Sequence, residues 1–159
     1  MGQGYRDRGN QSSRPSFQPP SDDEIRKIMI EGDPETLITV ADRVGQTLVE
    51  QELTTSQIRN VFGTVRQIQM RWPTSPGETV NEAYREAVLL RPKMAYFAER
   101  QKKAKGGRSY GMETLQKTLE PALKLLADNG QPSRERFNRF VDLFEAIVAY
   151  HKKHGGRDN

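Results

Sequence analysis

Apolar residues recur at helical spacing along most of this chain, and this periodicity restricts the fold more than any other feature. One continuous stripe at positions i, i+3, i+4 and i+7 comprises Ile58, Val61, Phe62, Val65 and Ile68. Similar stripes run through residues 37–48, 112–126 and 137–148. A period of about 3.6 residues is that of an amphipathic helix, whereas half-buried strands alternate with a period of about 2. No convincing alternating stretch occurs, so we predict an all-α bundle of about five to six helices.

Capping residues mark where these helices begin and end. A small polar residue precedes each apolar stripe at four places: Ser21, Asp33, Thr54 or Thr55, and Ser133. Such side chains accept hydrogen bonds from the free N–H groups of a first helical turn. Gly32 ends the first helix and Asn129-Gly130 ends the one before Ser133, because both residue types tolerate a left-handed backbone.

Two prolines fall inside otherwise helical stretches. Proline lacks the N–H that an interior helical position donates, so it usually ends or kinks a helix. We therefore predict that Pro92 separates a helix over about 79–90 from one over about 92–103. Pro121 is expected to kink the following helix.

The 159 residues suffice for one domain flanked by two flexible ends. Residues 1–20, rich in Gly, Arg, Ser and Pro, are predicted to form a flexible tail. Residues 21–153 form the helical bundle domain, and residues 154–159 a flexible C-terminus. His151 and His154 lie beside Lys152 and Lys153, which is typical of a frayed basic helix end.

The residue types needed for catalysis are largely missing. The chain has no cysteine and two histidines, which excludes thiolate metal sites and makes a histidine site improbable. Gly106-Gly107 lacks the lysine and the spacing of a phosphate-binding loop. No apolar run is long enough to cross a bilayer. We therefore expect a soluble, cytoplasmic protein that is no enzyme and holds no cofactor or metal.

Positive charge is concentrated in one part of the chain. The formal net charge is +4. The stretch 91–108 alone carries seven basic residues against the single acid Glu99. A local basic patch on a mildly acidic body indicates a polyanionic partner with a defined docking place.

Two helical faces within or near this patch are candidates for contact with a nucleic-acid backbone. On the first, Arg59 and Arg66 flank Gly63, and a guanidinium suits phosphate oxygens well. On the second, bases and aromatics interleave, and the basic side chains continue into a glycine loop. Its candidates are Lys93, Tyr96, Arg100, Lys102, Lys103 and Arg108. The alternative for both faces is a solvated helix surface without a ligand. We predict that the two faces converge on a single trough for phosphates.

Three segments together resemble the small subunit of type III-A CRISPR effector complexes. These segments are LTTSQIRNVFGTVRQIQ (Leu53–Gln69), LLRPKMAYFAER (Leu89–Arg100) and FNRFVDLFEAIVAYHK (Phe137–Lys152). They occur in the order and at about the spacing of that family. The resemblance spans roughly residues 21–153.

The resemblance implies a helical bundle without nuclease activity of its own. Several copies would stack head to tail as an inner filament, beside the backbone subunits that hold the guide RNA and near the large subunit. Basic residues would contact the duplex of guide RNA and target RNA without reading its bases. Carried over to this sequence, the RNA-contacting positions would be Arg59, Arg66, Lys93, Tyr96 and Arg100.

A second hypothesis belongs to a different functional class. The chain could be a helical protein–protein adaptor whose basic patch docks an acidic protein, with no direct RNA contact. The composition fits both hypotheses, since each requires only an exposed basic surface on a helical bundle.

Overall fold

Helices make up most of the described chain, which comprises residues 17–73, 81–104 and 110–158 of the computed structural model. Six α-helices and one short hairpin lie within these residues, which confirms the predicted all-α fold. They are α1 (Asp22–Arg26), α2 (Pro34–Glu50), α3 (Thr55–Arg71), α4 (Asn81–Ala104), α5 (Gly111–Leu123), β1 (Ala127–Asp128), β2 (Gln131–Pro132) and α6 (Arg134–Lys153). A π-helical turn, Lys27–Glu31, continues α1.

The predicted capping residues begin the helices as expected. The hydroxyls of Ser21 and Thr54 each accept a hydrogen bond from the third residue of their helix, whose side chain bonds back. Asp33 caps α2 and Ser133 caps α6. Gly32 ends the π-helical turn in the left-handed region, with φ of 67°. These local signals therefore confirm the predicted starts.

Helix α6 lies at the centre of the core. It packs against α2, α3 and α5, and its three phenylalanines Phe137, Phe140 and Phe144 are completely buried. Trp72 stacks on Phe137 with ring centroids 4.6 Å apart, and Phe62 meets Phe144 at 5.1 Å. Helix α4 packs instead on α5 and α3. As a consequence, α4 and the flank of α3 form one side of the bundle.

Pro92 does not divide two helices, so that prediction is wrong. Helix α4 continues through it from Asn81 to Ala104. Ala87 and Leu90 before the proline, and Met94 after it, are all buried. Their burial on one face stabilises a continuous helix and offsets the hydrogen bond that proline cannot donate.

The segment around Asn129-Gly130 is a hairpin, whereas we predicted a helix end and no strands. Helix α5 ends at Leu123, soon after Pro121, and Ala127 then pairs with Pro132 in antiparallel register. Asn129 and Gly130 both have positive φ, 49° and 77°. Asn-Gly favours this two-residue hairpin turn, so the sequence contained the signal.

Both chain ends differ from a simple picture of flexible tails. Phe17, at the end of the predicted tail, packs partly buried against the core, while residues 1–16 lie outside the described residues. At the other end, Gly155–Asp158, here called the C-terminal strap, folds back onto α3. The carbonyl of Arg157 accepts a hydrogen bond from the Thr55 N–H at 2.8 Å. The carbonyl of Asp158 accepts one from Ser56 Oγ at 2.7 Å.

His151 explains why this end is held. The histidine is completely buried rather than frayed, and its Nε2 donates to the carbonyl of Leu53 at 2.6 Å. Gly156 packs directly on the ring. His154 bonds the Asp42 carboxylate at 2.5 Å. The prediction of a frayed basic helix end is therefore wrong at both histidines.

Candidate nucleic-acid interface

A groove runs along the surface between α3 and α4. It consists of two adjoining depressions of about 550 and 250 Å³, which share Asn60, Val61 and Phe97. Buried Val61, Leu90 and Met94 contribute an apolar floor to the larger one. None of the described residues that line this α3–α4 groove is acidic.

Three of the predicted site residues lie together along the α4 side of the groove. Lys93 and Tyr96 line the larger depression, and Arg100 lines the smaller one. All three are exposed, Tyr96 to 61 %. Lys103 is also exposed and falls within about 20° of Tyr96 around the helix axis. The interleaved pattern of bases and aromatics therefore produces one continuous cationic edge.

Arg59 and Arg66 do not belong to this groove, and the single predicted trough is not formed. The residues that α3 contributes to the groove include Asn60, Val61 and Thr64. Arg59 and Arg66 point about 150–170° away from the centre of that arc. Sequence spacing correctly put the two arginines on one face, but this face is turned away from α4.

The arginine face of α3 instead borders α6. Arg66 donates to Gln69 Oε1 at 2.9 Å and lies 6.0 Å from the centre of the Phe62 ring. Gln69 in turn donates to Asn138 of α6 at 3.4 Å. A Cβ added at Gly63 would meet nothing within 4 Å, so the helix backbone is open to close approach there. We refer to Arg59, Gly63 and Arg66 as the α3 face.

Lys102 has a different role from its neighbours. Its ammonium pairs with Glu113 of α5 at 3.1 Å, and the two side chains are 29 % and 23 % exposed. Lys102 points about 160–180° away from Lys93 and Arg100 around α4. Arg91 pairs with Glu120 of α5 on the same side. Lys102 therefore joins two helices rather than extending the cationic edge.

The charges around Glu113 shift its acidity. Burial raises the pKa of its carboxyl, but hydrogen bonds from Lys102 and Lys117 lower the pKa by more, so it lies below its ordinary value of 4.5. The hydrogen bond to Glu113 raises the pKa of Lys102 above its ordinary value. A carboxyl with a lowered pKa stabilises the fold above its unfolded-state pKa, and this contribution is lost as the pH falls through the folded-state pKa.

We expect Glu113→Gln to lower the free energy of unfolding at pH 7 by about 0.5–1 kcal/mol, since the ion pair is partly screened. As the pH falls through the folded-state pKa of Glu113, the wild-type carboxyl becomes protonated, so the difference between the two proteins should shrink. Urea denaturation at pH 7 and at a series of acidic pH values measures this. A difference that stays constant throughout the series would contradict a charge-dependent contribution.

The remaining candidate cations share a further property. Arg59, Arg66, Lys93, Arg100 and Lys103 have no ion pair with any carboxylate of the described residues. By contrast, Arg43, Arg71, Arg136 and Arg139 are all paired. An unpaired cation can bind an external anion without first losing an internal partner. Arg108 lies outside the described residues.

Sequence reasoning missed the apolar part of the groove. Phe97 is 40 % exposed at the groove, and Leu89 is 41 % exposed. Asn60 and Thr64 supply polar groups on the opposite wall. The signal available was the helical position of Phe97, only about 40° from Lys93, which places the ring at the edge of the buried face.

The described residues also bear on metal binding and on membrane insertion. Within residues 17–73, 81–104 and 110–158, no group of three or more His, Asp or Glu side chains is arranged to hold a metal ion. No helix within the same ranges combines the length and the apolar character that crossing a bilayer requires.

Comparison with known proteins assigns the chain to a family. The family model Csm2 Type III-A matches residues 31–157, which include all the described elements from α2 to α6. No curated protein and no solved structure shows significant similarity to the chain. The match covers most of the chain and agrees with its helical fold. The chain therefore belongs to the Csm2 family, the small subunits of type III-A CRISPR complexes.

Proposed function

We propose that this subunit binds the sugar-phosphate backbone of the duplex between guide RNA and target RNA, without base specificity and without catalysing a reaction. Its place of action is a cytoplasmic ribonucleoprotein for antiviral defence. There, copies of the chain stack head to tail as an inner filament that contacts the backbone subunits and the large subunit. The proposed RNA-contacting side chains are Arg59, Arg66, Lys93, Tyr96, Arg100 and Lys103.

The observation that carries this proposal is the set of unpaired cations. Six exposed basic side chains on α3 and α4, which are the five proposed basic contacts and Arg85, lack carboxylate partners in the described chain. Arg71, Arg91 and Lys102 on the same two helices are paired. Guide–target pairing reads the sequence, so a helper subunit needs only contacts to phosphates and sugars. Lys102 is left out of the proposed set because binding RNA would require it to leave Glu113.

The two cationic faces allow one copy of the chain to contact more than one stretch of RNA backbone. The α3 face and the cationic edge of α4 point to different sides, so one phosphate strand cannot lie on both at once. We propose that they contact separate stretches of backbone. The open backbone at Gly63 allows a sugar-phosphate chain to approach α3 closely. With two or three contacts on each face, an isolated copy binds weakly, and several copies in a filament gain avidity.

The first test reverses charge on one face at a time. We expect Lys93→Glu with Arg100→Glu to weaken binding of a short RNA duplex at least about tenfold at low salt. The dependence of the logarithm of affinity on the logarithm of salt concentration should fall by about two, because two phosphate contacts are lost. Arg59→Glu with Arg66→Glu should have a similar effect. Fluorescence anisotropy at several salt concentrations measures both.

A matched control reverses two cations elsewhere. Arg26 of α1 and Lys124, which follows the last residue of α5, are exposed, do not line the groove and have no ion pair within the described chain. Their double reversal changes the net charge equally and should leave RNA affinity nearly unchanged beyond a general electrostatic effect. If all three double variants bind alike, net charge rather than a defined face governs binding. If the wild-type chain does not bind RNA at low salt, the proposal is wrong.

The adaptor hypothesis remains a second candidate, favoured by one specific observation. Leu89 and Phe97 are exposed beside an apolar groove floor, and such surfaces often bind other proteins. If the chain is an adaptor held mainly by apolar contacts, the variant with Lys93 and Arg100 reversed should still assemble into the complex. Absence of RNA binding by the free chain, together with loss of Phe97→Asp from the complex, would support the adaptor.

A further inference from the structure

We infer that the α3–α4 groove is a subsite for an unpaired nucleotide, with the nucleobase in the apolar groove and the flanking phosphates on Lys93 and Arg100. The inference rests on RNA binding by the chain but goes beyond it, because backbone contact alone needs no apolar cavity. It adds an unpaired nucleotide to the backbone contacts proposed for this side of the subunit.

The floor of the groove is unsuited to a duplex backbone. Val61, Leu90 and Met94 offer no hydrogen bonds to phosphates or riboses, and burying unpaired polar groups against them is costly. In a duplex the bases are stacked inside and cannot reach the groove. A base that has left the stack presents a flat, largely apolar face, and such bases are the usual targets of single-strand recognition.

Two aromatic rings stand at the mouth of the groove. Phe97 lines both depressions, and Tyr96 lines the larger one. Their ring centroids are 5.9 Å apart with the planes tilted by 57°. Both rings are substantially exposed, so a base can stack on either without displacing a core residue. Base stacking on aromatic side chains tolerates every base, which agrees with binding that does not depend on sequence.

The polar wall supports the same occupant. Asn60 lines both depressions, and its side-chain amide has no hydrogen-bond partner in the described part of the chain. An amide both donates and accepts, so it can pair with an edge of any base. The Thr64 hydroxyl, which lines the larger depression and donates to the Asn60 carbonyl at 3.5 Å, can still accept a hydrogen bond from a base. The groove thus combines stacking surfaces with adaptable polar groups.

The basic side chains at the groove favour a negatively charged ligand. Lys93 and Arg100 are two helical turns apart, about 10 Å along α4, and no acidic residue among those described lines the groove. A strand that follows α4 can place a phosphate at each cation while the base between them enters the groove. An acidic peptide would meet the same cations, so the experiment must separate the two occupants.

The test compares three fluorescent probes of equal length: a single-stranded oligouridylate, the same backbone with abasic residues, and an RNA duplex. The wild-type chain should bind the oligouridylate more tightly than the abasic strand. Phe97→Ala and Tyr96→Ala should each lower affinity for the oligouridylate about tenfold. Phe97→Ala should bind the abasic strand and the duplex as the wild type does. Ile38→Ala serves as the matched control, because Ile38 of α2 is 43 % exposed and lines neither depression of the groove.

Equal affinity for the oligouridylate and the abasic strand would overturn the inference, as would an effect of Phe97→Ala on all three probes alike. Duplex binding with no preference for bases would leave the backbone proposal intact and remove only the subsite. Absence of binding to every probe would contradict both. Circular dichroism would confirm that the exposed substitutions leave the fold intact.

The assembled complex supplies the second measurement. The chain has no cysteine, so Leu89→Cys introduces a unique thiol at the groove and Ile38→Cys one on α2, away from it. Maleimide labelling of Leu89→Cys, read by the mass of the intact subunit, should be fast in the free chain and blocked in the complex with RNA. Ribonuclease treatment should restore it. Protection that survives ribonuclease would identify a protein occupant and overturn the inference, as would full reactivity throughout.

Discussion

Replacing Gly45 by valine is expected to lower the free energy of unfolding by about 3 kcal/mol or more. Gly45 lies in α2 where this helix crosses α6. A Cβ added there would lie 2.8 Å from the backbone nitrogen of His151 and 2.8 Å from the Cβ of Tyr150. These are backbone and backbone-proximal atoms of a central helix, so they cannot move aside as a flexible side-chain end can. Valine adds two further methyl groups to the same contact.

Alanine at the same position decides between two opposing effects. In a helix interior, alanine is favoured over glycine by about 1 kcal/mol. The steric contact with α6 should outweigh that gain, so Gly45→Ala is still expected to destabilise the protein by about 1–2 kcal/mol. Gly63→Ala is the matched control, since a Cβ there meets nothing within 4 Å and the change should stabilise α3. Urea denaturation measures all three variants, and equal effects at Gly45 and Gly63 would contradict the close crossing.

Local sequence signals predicted the helix starts well because each acts within one turn. The hydroxyl of Thr54 and the carboxylate of Asp33 bond to N–H groups only two or three residues away. No knowledge of tertiary structure is needed to place such a contact. The apolar stripes likewise identified the buried face of α3 and α6, because periodicity records which side of a helix avoids water.

Signals that tertiary packing can override were less reliable. Pro92 is compatible with a helix boundary, yet burial of Ala87 and Met94 on either side keeps α4 continuous. The prediction of a frayed helix end at the C-terminus was also wrong, in this case because a distant residue holds the end in place. Two lysines around His151 indicate an exposed helix end, but its partner, the Leu53 carbonyl, is 98 residues away in sequence. A contact of that separation has no local signature.

In the candidate site, too, local spacing predicted some features, whereas others depend on tertiary packing. Spacing correctly grouped Lys93 with Arg100 and Arg59 with Arg66, since residues separated by seven lie close together on a helix. Spacing does not reveal which neighbour each face meets. Helix α4 packs against the side of α3 opposite its arginines, and this arrangement separates the two cationic faces. The groove between the helices, with Phe97 at its mouth, follows from that arrangement and not from any single pattern.

Separating the faces changes what one subunit can do for an RNA. A single trough would bind one strand, whereas the two faces on different sides would, under the proposed function, contact two stretches of backbone. The α3 face begins close to the C-terminal strap, since the strap bonds Thr55 and Ser56 one turn before Arg59. Stability of the strap and orientation of Arg59 are therefore connected through the first turn of α3.

His151→Ala is expected to lower the free energy of unfolding by about 3 kcal/mol. The substitution creates a cavity in a fully buried position and leaves the Leu53 carbonyl without its donor. It also removes the surface on which Gly156 packs, so the strap should lose its contacts with Thr55 and Ser56. Urea denaturation measures the first effect, and faster amide exchange at the start of α3 measures the second.

His154→Ala is the matched control within the same helix end. His154 and Asp42 are partly exposed, with side chains 25 % and 46 % accessible, so the loss should stay below about 1 kcal/mol. Gly156→Ala tests the strap without touching the histidine. Its Cβ would lie 2.2 Å from His151 Cε1, so the strap must detach while the Leu53 hydrogen bond persists. Exchange should then rise at Thr55 and Ser56 with a smaller loss of global stability than in His151→Ala. Equal stability of the two histidine variants would mean that the strap does not hold this end of the bundle.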